Sequence, residues 1–255
     1  MYPGKIRDEL VQWQKKMQKP PSRVDRASKA VQDKINNIIP DKVHEIITAT
    51  IKQMTRAVLF GAEFLTSKPS EGISFEAREN VVKDRIEFYK KAGAAEGGIT
   101  GAGGFWLALA EFPVLLGIKM KLLFDIASIY GYSVEDYRER LFIMHVFQLA
   151  FSSQKNRQVV YEKIVDWDKK SKELPDDIHQ FDWLTFQQEY RDYIDLAKMA
   201  QLIPGIGAAV GLIVNYRLLN HLGKTAINAY RMRITEREEN SLLNRIKIST
   251  SLLSE

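Results

Sequence analysis

The sequence predicts an all-α fold: a single multi-helix domain of about ten helices at ordinary helix lengths, with a closely packed glycine-rich helical hairpin at its centre. Three observations carry that expectation. Apolar residues recur at helical spacing along most of the 255 residues, the pattern of one buried helix face. No run alternates apolar and polar residues long enough to make a useful strand, and no internal repeat is visible. Helix start and stop signals (Pro, Gly and capping Ser, Thr or Asp) punctuate the periodic runs.

Composition agrees with a globular chain able to bury a sizeable core: 45% of residues are hydrophobic and 27% charged. The absence of cysteine excludes disulfides, thiol catalysis and cysteine-ligated metals, and fits a reducing compartment. Net charge is +5, and its placement is informative. Met1–Lys34 holds nine basic and four acidic residues, so the whole excess lies on the N-terminal arm and the body is neutral. The arm is therefore the candidate for an anionic surface, and nucleic-acid binding by the body is not expected. The first thirty residues lack the apolar core of a signal peptide.

Met1–Gln18 reads as an amphipathic helix, with Ile6, Leu10, Trp13 and Met17 on one stripe and lysines flanking it. Such a stripe either docks on the body through Trp13 or lies on a membrane surface, with Lys5, Lys15, Lys16 and Lys19 meeting anionic lipid. The expected division is residues 1–19 as this basic amphipathic N-terminal helix and 20–255 as the helical domain. Pro20-Pro21 breaks the chain, and Ser22 caps a helix to about Ile38. Pro40-Asp41 starts another, with Ile47, Ile51, Met54 and Val58 on its apolar face. After the loop at Ser67–Gly72, Phe75–Lys91 is a further amphipathic helix with many charges expected to be exposed.

The glycine-rich stretch Gly93–Gly131 follows. Gly93, Gly97 and Gly101 are spaced four apart, with Gly98, Gly103 and Gly104 interleaved. On a helix such a row lets a neighbour approach closely. Two helices are expected, Gly97–Glu111 and Pro113–Tyr130, with Pro113 opening the second and Gly131 capping its end. Ser133–Asp136 opens the next helix, which runs to about Phe151, and Asn156–Lys170 forms another. Asp182 caps a helix to about Gln201 after a polar loop, and Pro204 opens a further one. Thr235-Glu236-Arg237-Glu238 has the capping-box pattern for a last helix, Glu236–Ser249.

Two segments approach the length of a membrane span, which needs about 20 apolar residues. Met199–Tyr216 is uncharged but contains Pro204, Gly205, Gly207 and Gly211, and the earlier stretch is interrupted by Glu111. Neither passes cleanly.

No catalytic, metal or cofactor residues are nominated. Gly205–Gly211 has the spacing GxGxxxG without a preceding strand, so helix packing outweighs dinucleotide binding. No Gly-Lys-Ser/Thr follows Gly97–Gly104. His44, His145, His179 and His221 are never three or four residues apart, and His145 sits between Leu141 and Leu149 as a core histidine would. Asp125 pairs most simply with Lys121, four residues before it. Glu111, alone in an apolar run, either bonds a neighbouring helix or is a buried acid, lining a pocket with Thr100 or Asp125.

Gly97–Phe105, Glu111-Phe112-Pro113 and Ile126–Tyr132, which includes Tyr130, together resemble the signature of the EcsC family. Leu202–Gly207 and Ala229-Tyr230-Arg231-Met232-Arg233 are similar to its C-terminal part, and Leu10–Trp13 to its first helix. Glu111 departs from the aspartate that many members place there. The family takes its name from a bacterial operon that also encodes the ATPase and membrane subunits of an ABC transporter. The resemblance therefore implies a cytoplasmic accessory protein, peripherally associated with the inner membrane face and with transporter subunits as partners, and supplies no reaction. The alternative is a soluble all-α enzyme or small-ligand binder with a pocket around Glu111.

Overall fold

The structure, a computed structural model, describes residues 4–20, 41–60, 69, 72–100, 112–153, 156–182, 184–186 and 208–252, with the backbone alone at 41, 43, 44, 93–100, 208–215 and 247–252. The fold is all-α. Its helices are α1 (Gly4–Gln18), α2 (Asp41–Phe60), α3 (Phe75–Thr100), α4 (Phe112–Ile129), α5 (Tyr137–Phe151), α6 (Arg157–Ile164), α7 (Trp167–Lys170) and α8 (Ala208–Leu252). Short 3₁₀ turns lie at Ser171–Glu173 and Ile178–Gln180.

The spine is α8, whose 45 residues extend about 67 Å at 1.5 Å per residue. It packs along α3 and also meets α1, α4, α5 and α7. Ile86 lies against Gly223, and Lys90 reaches Asn220 and the Tyr216 ring, so α3 and α8 run antiparallel. A Cβ on Gly223 would stand 2.6 Å from Ile86 Cδ1 and 2.8 Å from its Cγ1. Gly223→Ala therefore forces this contact apart, and denaturant unfolding should show a loss of about 1–3 kcal/mol, the usual cost of overpacking. Buried Ile47, Ile51, Val58 and Leu59 of α2 join the same core as Phe124, Phe142 and Phe147.

The first helix docks. Leu10 and Met17 are buried in the main core, and half-buried Trp13 meets the Tyr161 ring edge-on at 5.7 Å. Pro113 lies in the first turn of α4, and Gly131 ends that helix at φ 91°. Gly131 N–H donates to Ser128 O and Tyr132 N–H to Ala127 O, each at 3.0 Å, the paired bonds of a left-handed glycine cap.

Several boundaries differ from expectation. Gly93, Gly97, Gly98 and Thr100 do not start a helix; they finish α3, which runs unbroken from Phe75. Nothing between Lys91 and Thr100 removes an N–H or forces a turn, and the alanines there favour helix. Gly101, Gly103, Gly104 and Glu111, and with them the expected Gly97–Glu111 arm of the hairpin, lie outside the described residues. So do the expected Ser22–Ile38 helix and Pro204, Gly205 and Gly207. Asp136, not Ser133, caps α5, accepting a bond from Arg138 N–H at 2.9 Å. The expected Asn156–Lys170 helix is broken at Asp166, whose φ is 52°, a left-handed conformation that Asp tolerates better than most residues. The capping box at Thr235 does not cap: α8 continues through it, and Thr235 Oγ1 donates back to Arg231 O at 2.9 Å. Inside a helix, residues three apart share a face, so the same letters arise with no helix end.

Candidate functional site

The most unusual chemistry among the described residues is a set of charges buried where α8 crosses α3, α4 and α5. Arg231 and Arg233 are 4% and 7% exposed. Two positions along a helix turn the side chain by about 200°, so the two guanidiniums leave α8 on opposite sides. Arg231 reaches Glu79 of α3, with Nη2 2.5 Å from Oε2 and Nε 3.0 Å from Oε1. Tyr130, at the end of α4, donates its hydroxyl to the same carboxylate at 2.6 Å. Arg233 reaches Glu139 of α5 at 2.5 Å, and Tyr230 donates to that carboxylate at 2.6 Å. Each half is thus an arginine, a glutamate and a tyrosine. The two tyrosine rings stack with centroids 5.4 Å apart, joining the halves.

Further groups complete the network. Arg233 Nε donates to Asp168 at 2.5 Å, and Arg237 donates to the other oxygen of Asp168 at 2.8 Å. The Arg233 guanidinium lies 4.1 Å from the centre of the Tyr132 ring and 4.7 Å from that of Phe142, where a cation meets the negative ring face. Glu9 of α1 adds an outer contact to Arg231 at 3.1 Å. Burial pushes the Glu139 carboxyl up, while Arg233 and Tyr230 pull it back. Burial alone would lower Arg233, but Glu139, Tyr132 and Asp168 raise it above its ordinary value. Only the Arg231–Glu79 pair is bidentate, but any buried ion pair is stable only as a complete set. The arrangement locks α3, α4, α5 and α8 in register.

The network joins two segments that stand out separately in the sequence, Tyr130-Gly131-Tyr132 and Tyr230–Arg233. Their partners Glu79, Glu139 and Asp168 were missed. Glu79 was among charges expected to be exposed, yet it precedes Val82, Ile86 and Tyr89 at the spacing of the buried stripe. A carboxylate in register with an apolar stripe was the available signal. Asp125 is engaged as expected with Lys121, at 3.2 Å, and also accepts from Tyr89 at 2.9 Å and lies 3.7 Å from Arg85. The side chains of Thr100 and Gly211 are not among those described. Lys5, Lys15 and Lys16 on the docked α1, and Lys19 just past its end, are all exposed.

Beside the network, across Arg237 and Asp168, opens a cleft of about 1190 Å³ between α8 and the kinked α6–α7 segment. No group of three or more His, Cys, Asp or Glu among the described residues could hold a metal ion. No helix among them is long and apolar enough to cross a membrane.

Comparison with known proteins gives a consistent result. The family model described as EcsC protein family matches residues 4–235. The chain is 44% identical over 230 residues to "Protein EcsC" of Bacillus subtilis (strain 168), covering 90% of this chain and 94% of that protein. It is 30% identical over 172 residues to "Uncharacterized protein YdbA" of the same organism, covering 64% and 61%. No solved structure matches.

Proposed function

The chain belongs to the EcsC protein family, and from that premise we propose that it is a non-enzymatic accessory protein at the cytoplasmic face of the bacterial membrane, linked to an ABC transporter. The observation that carries this reading is the way α1 is oriented. Its apolar stripe, Leu10, Trp13 and Met17, is used in docking on the body. At about 100° per residue, Lys5, Lys15 and Lys16 fall on an arc away from the stripe, interrupted by Asp8; Lys19 follows directly after the helix, and all four are exposed. A docked helix presents these cations as a fixed row, suited to an anionic lipid surface or to the acidic face of a membrane-protein subunit. The engagement of the two EcsC-like motifs with each other, rather than with solvent, supports a structural use of those residues.

The test is vesicle flotation of the full chain. Phosphatidylserine-containing vesicles should carry the protein up at low salt. Replacing Lys5, Lys15, Lys16 and Lys19 together by Gln should weaken that partition by roughly 1,000-fold, given about 1 kcal/mol for each lysine near an anionic surface. High salt should do the same to the unaltered protein. Indifference of the unaltered protein to the vesicles, or unchanged binding by the four-lysine variant, would rule the reading out. Crosslinking from α1 in cells to a transporter subunit addresses the partner separately.

A further inference from the structure

We infer that the cleft between α8 and the α6–α7 kink binds a small phosphate-bearing anion. Nothing in the proposal depends on α1 or on membrane attachment.

Two features of the fold make the walls of the cleft. Beyond the core, α8 continues as a single helix, so Arg237, Ser241 and Arg245 recur four residues apart and line one side of the cleft. Asn240 and Asn244 stand next to them and add amide donors. The opposite wall exists because Asp166 adopts its left-handed conformation. The turn there ends α6 and starts α7 in a new direction, which brings Lys169 and Lys172 to the same opening. The volume, about 1190 Å³, is somewhat above the range common for small-molecule sites, about 300–1,000 Å³.

The charge pattern gives the ligand's chemistry. Several of the ionised groups lining the cleft already have partners. Arg138 is paired with Asp176 at 2.7 Å, and Arg237, with Arg233 behind it, neutralises Asp168. Asp136 accepts the N-cap bond of α5. Glu236 accepts from Asp166 N–H at 3.4 Å, and burial pushes its carboxyl up to about 7, which reduces its negative charge. Lys169, Lys172 and Arg245 line the cleft with no carboxylate partner among the described residues, and exposed Asp166 is the lining carboxylate with no cation partner or side-chain hydrogen bond among them. Three unpaired cations against the single unpaired carboxylate of Asp166, interleaved with hydroxyl and amide donors, match a phosphate group, which accepts several charge-assisted bonds at once. The ligand can be a soluble phosphorylated molecule or a phosphate-bearing lipid headgroup; the cleft chemistry is the same.

The experiment uses the full chain and two probes: inorganic pyrophosphate by calorimetry, and phosphatidylcholine vesicles doped with phosphatidic acid by flotation. Lys169, Lys172 and Arg245 are exposed, so the triple variant K169Q/K172Q/R245Q should fold with an unchanged melting temperature. It should lose at least about tenfold in affinity for whichever probe binds, as expected when charge-assisted contacts are removed. Lys224→Gln, an exposed cation of α8 outside the cleft, should leave binding unchanged. Binding of pyrophosphate alone identifies a soluble ligand, and binding of vesicles with the same triple-variant loss identifies a headgroup; both support the site. Failure of the unaltered protein to bind either probe at millimolar concentration overturns it. So does a triple variant within twofold of the unaltered protein, or an equal loss in Lys224→Gln, which would mean diffuse surface charge.

Discussion

Glu139→Ala should destabilise the protein by about 3–5 kcal/mol, the range expected when one partner of a buried ion pair is removed. The magnitude comes from what is left behind. Arg233 is 7% exposed, so its charge would lose its buried partner with little access to water. Tyr230, 1% exposed, would hold a hydroxyl whose acceptor is gone, at a further cost of about 1–3 kcal/mol. Asp168 would remain on Arg233, which keeps the loss from reaching the sum of both terms. For a chain of this size the melting temperature should fall by roughly 6–20 °C. Glu9→Ala makes the contrast. Its carboxylate also touches a buried arginine, but its side chain is 52% exposed, and water replaces it at a cost within about 1 kcal/mol. The double variant E139L/R233M should recover part of the loss, because removing both charges removes the unpaired one. Recovery is incomplete because Asp168 then keeps only Arg237. Denaturant unfolding of the four proteins checks this, and a Glu139→Ala loss below about 1 kcal/mol would mean that water reaches the site and the network is not the lock described above.

That network also marks how far local sequence rules reach. Helices are written into short-range periodicity, so the all-α class was legible, as were the Trp13 stripe, the Gly131 cap and the Lys121–Asp125 pair. Each depends on residues within about one helical turn or on the backbone freedom of one glycine. The Arg231–Glu79 and Arg233–Glu139 contacts join residues 152 and 94 positions apart. No spacing rule connects them, and the motifs around Tyr130 and Tyr230 were visible only as separate pieces. The failures at α8 and α6 have a different cause. Thr235-Glu236-Arg237-Glu238 satisfies a local rule for a helix start, but packing along α3 and α5 carries the helix into that turn, and the rule has no way to weigh that. The Asp166 kink needs a left-handed residue that is not glycine, and such a residue leaves no mark in composition. The cleft depends on both features, α8 running on and α6 stopping, so it could not be anticipated from the chain.

Glu236 and His145 should make contributions to stability that nearly cancel each other between about pH 6.5 and 4.5, where each alone tilts it. Burial lowers His145 from 6.5 to about 3, with Lys163 and Lys170 adding to the effect and Gln148 opposing it. The native state holds the neutral ring between the Trp167 and Phe186 edges, at 5.8 and 5.4 Å. The unfolded chain binds the proton at its ordinary pKa, so stability from this residue is complete above about pH 6.5 and falls with acid. The sign for Glu236 is opposite. Its folded pKa is raised from 4.5 to about 7, chiefly by burial, with Asp166 and Asp168 adding to it and the Asp166 N–H and Arg233 opposing it. The folded state then binds the proton more readily than the unfolded one. Its contribution is complete below about pH 4.5 and is lost as pH rises through about 7. Over the shared window each slope is about 1.4 kcal/mol per pH unit, and the two cancel. Single variants should separate them. Relative to the unaltered protein, His145→Gln should gain about 2–3 kcal/mol of stability on acidification across the window, because the opposing histidine is gone. Glu236→Gln should lose about the same amount relative to the unaltered protein. Urea unfolding at the two ends of the window reads both, and profiles that match the unaltered protein would mean that neither group is held away from water in the way the packing around them requires.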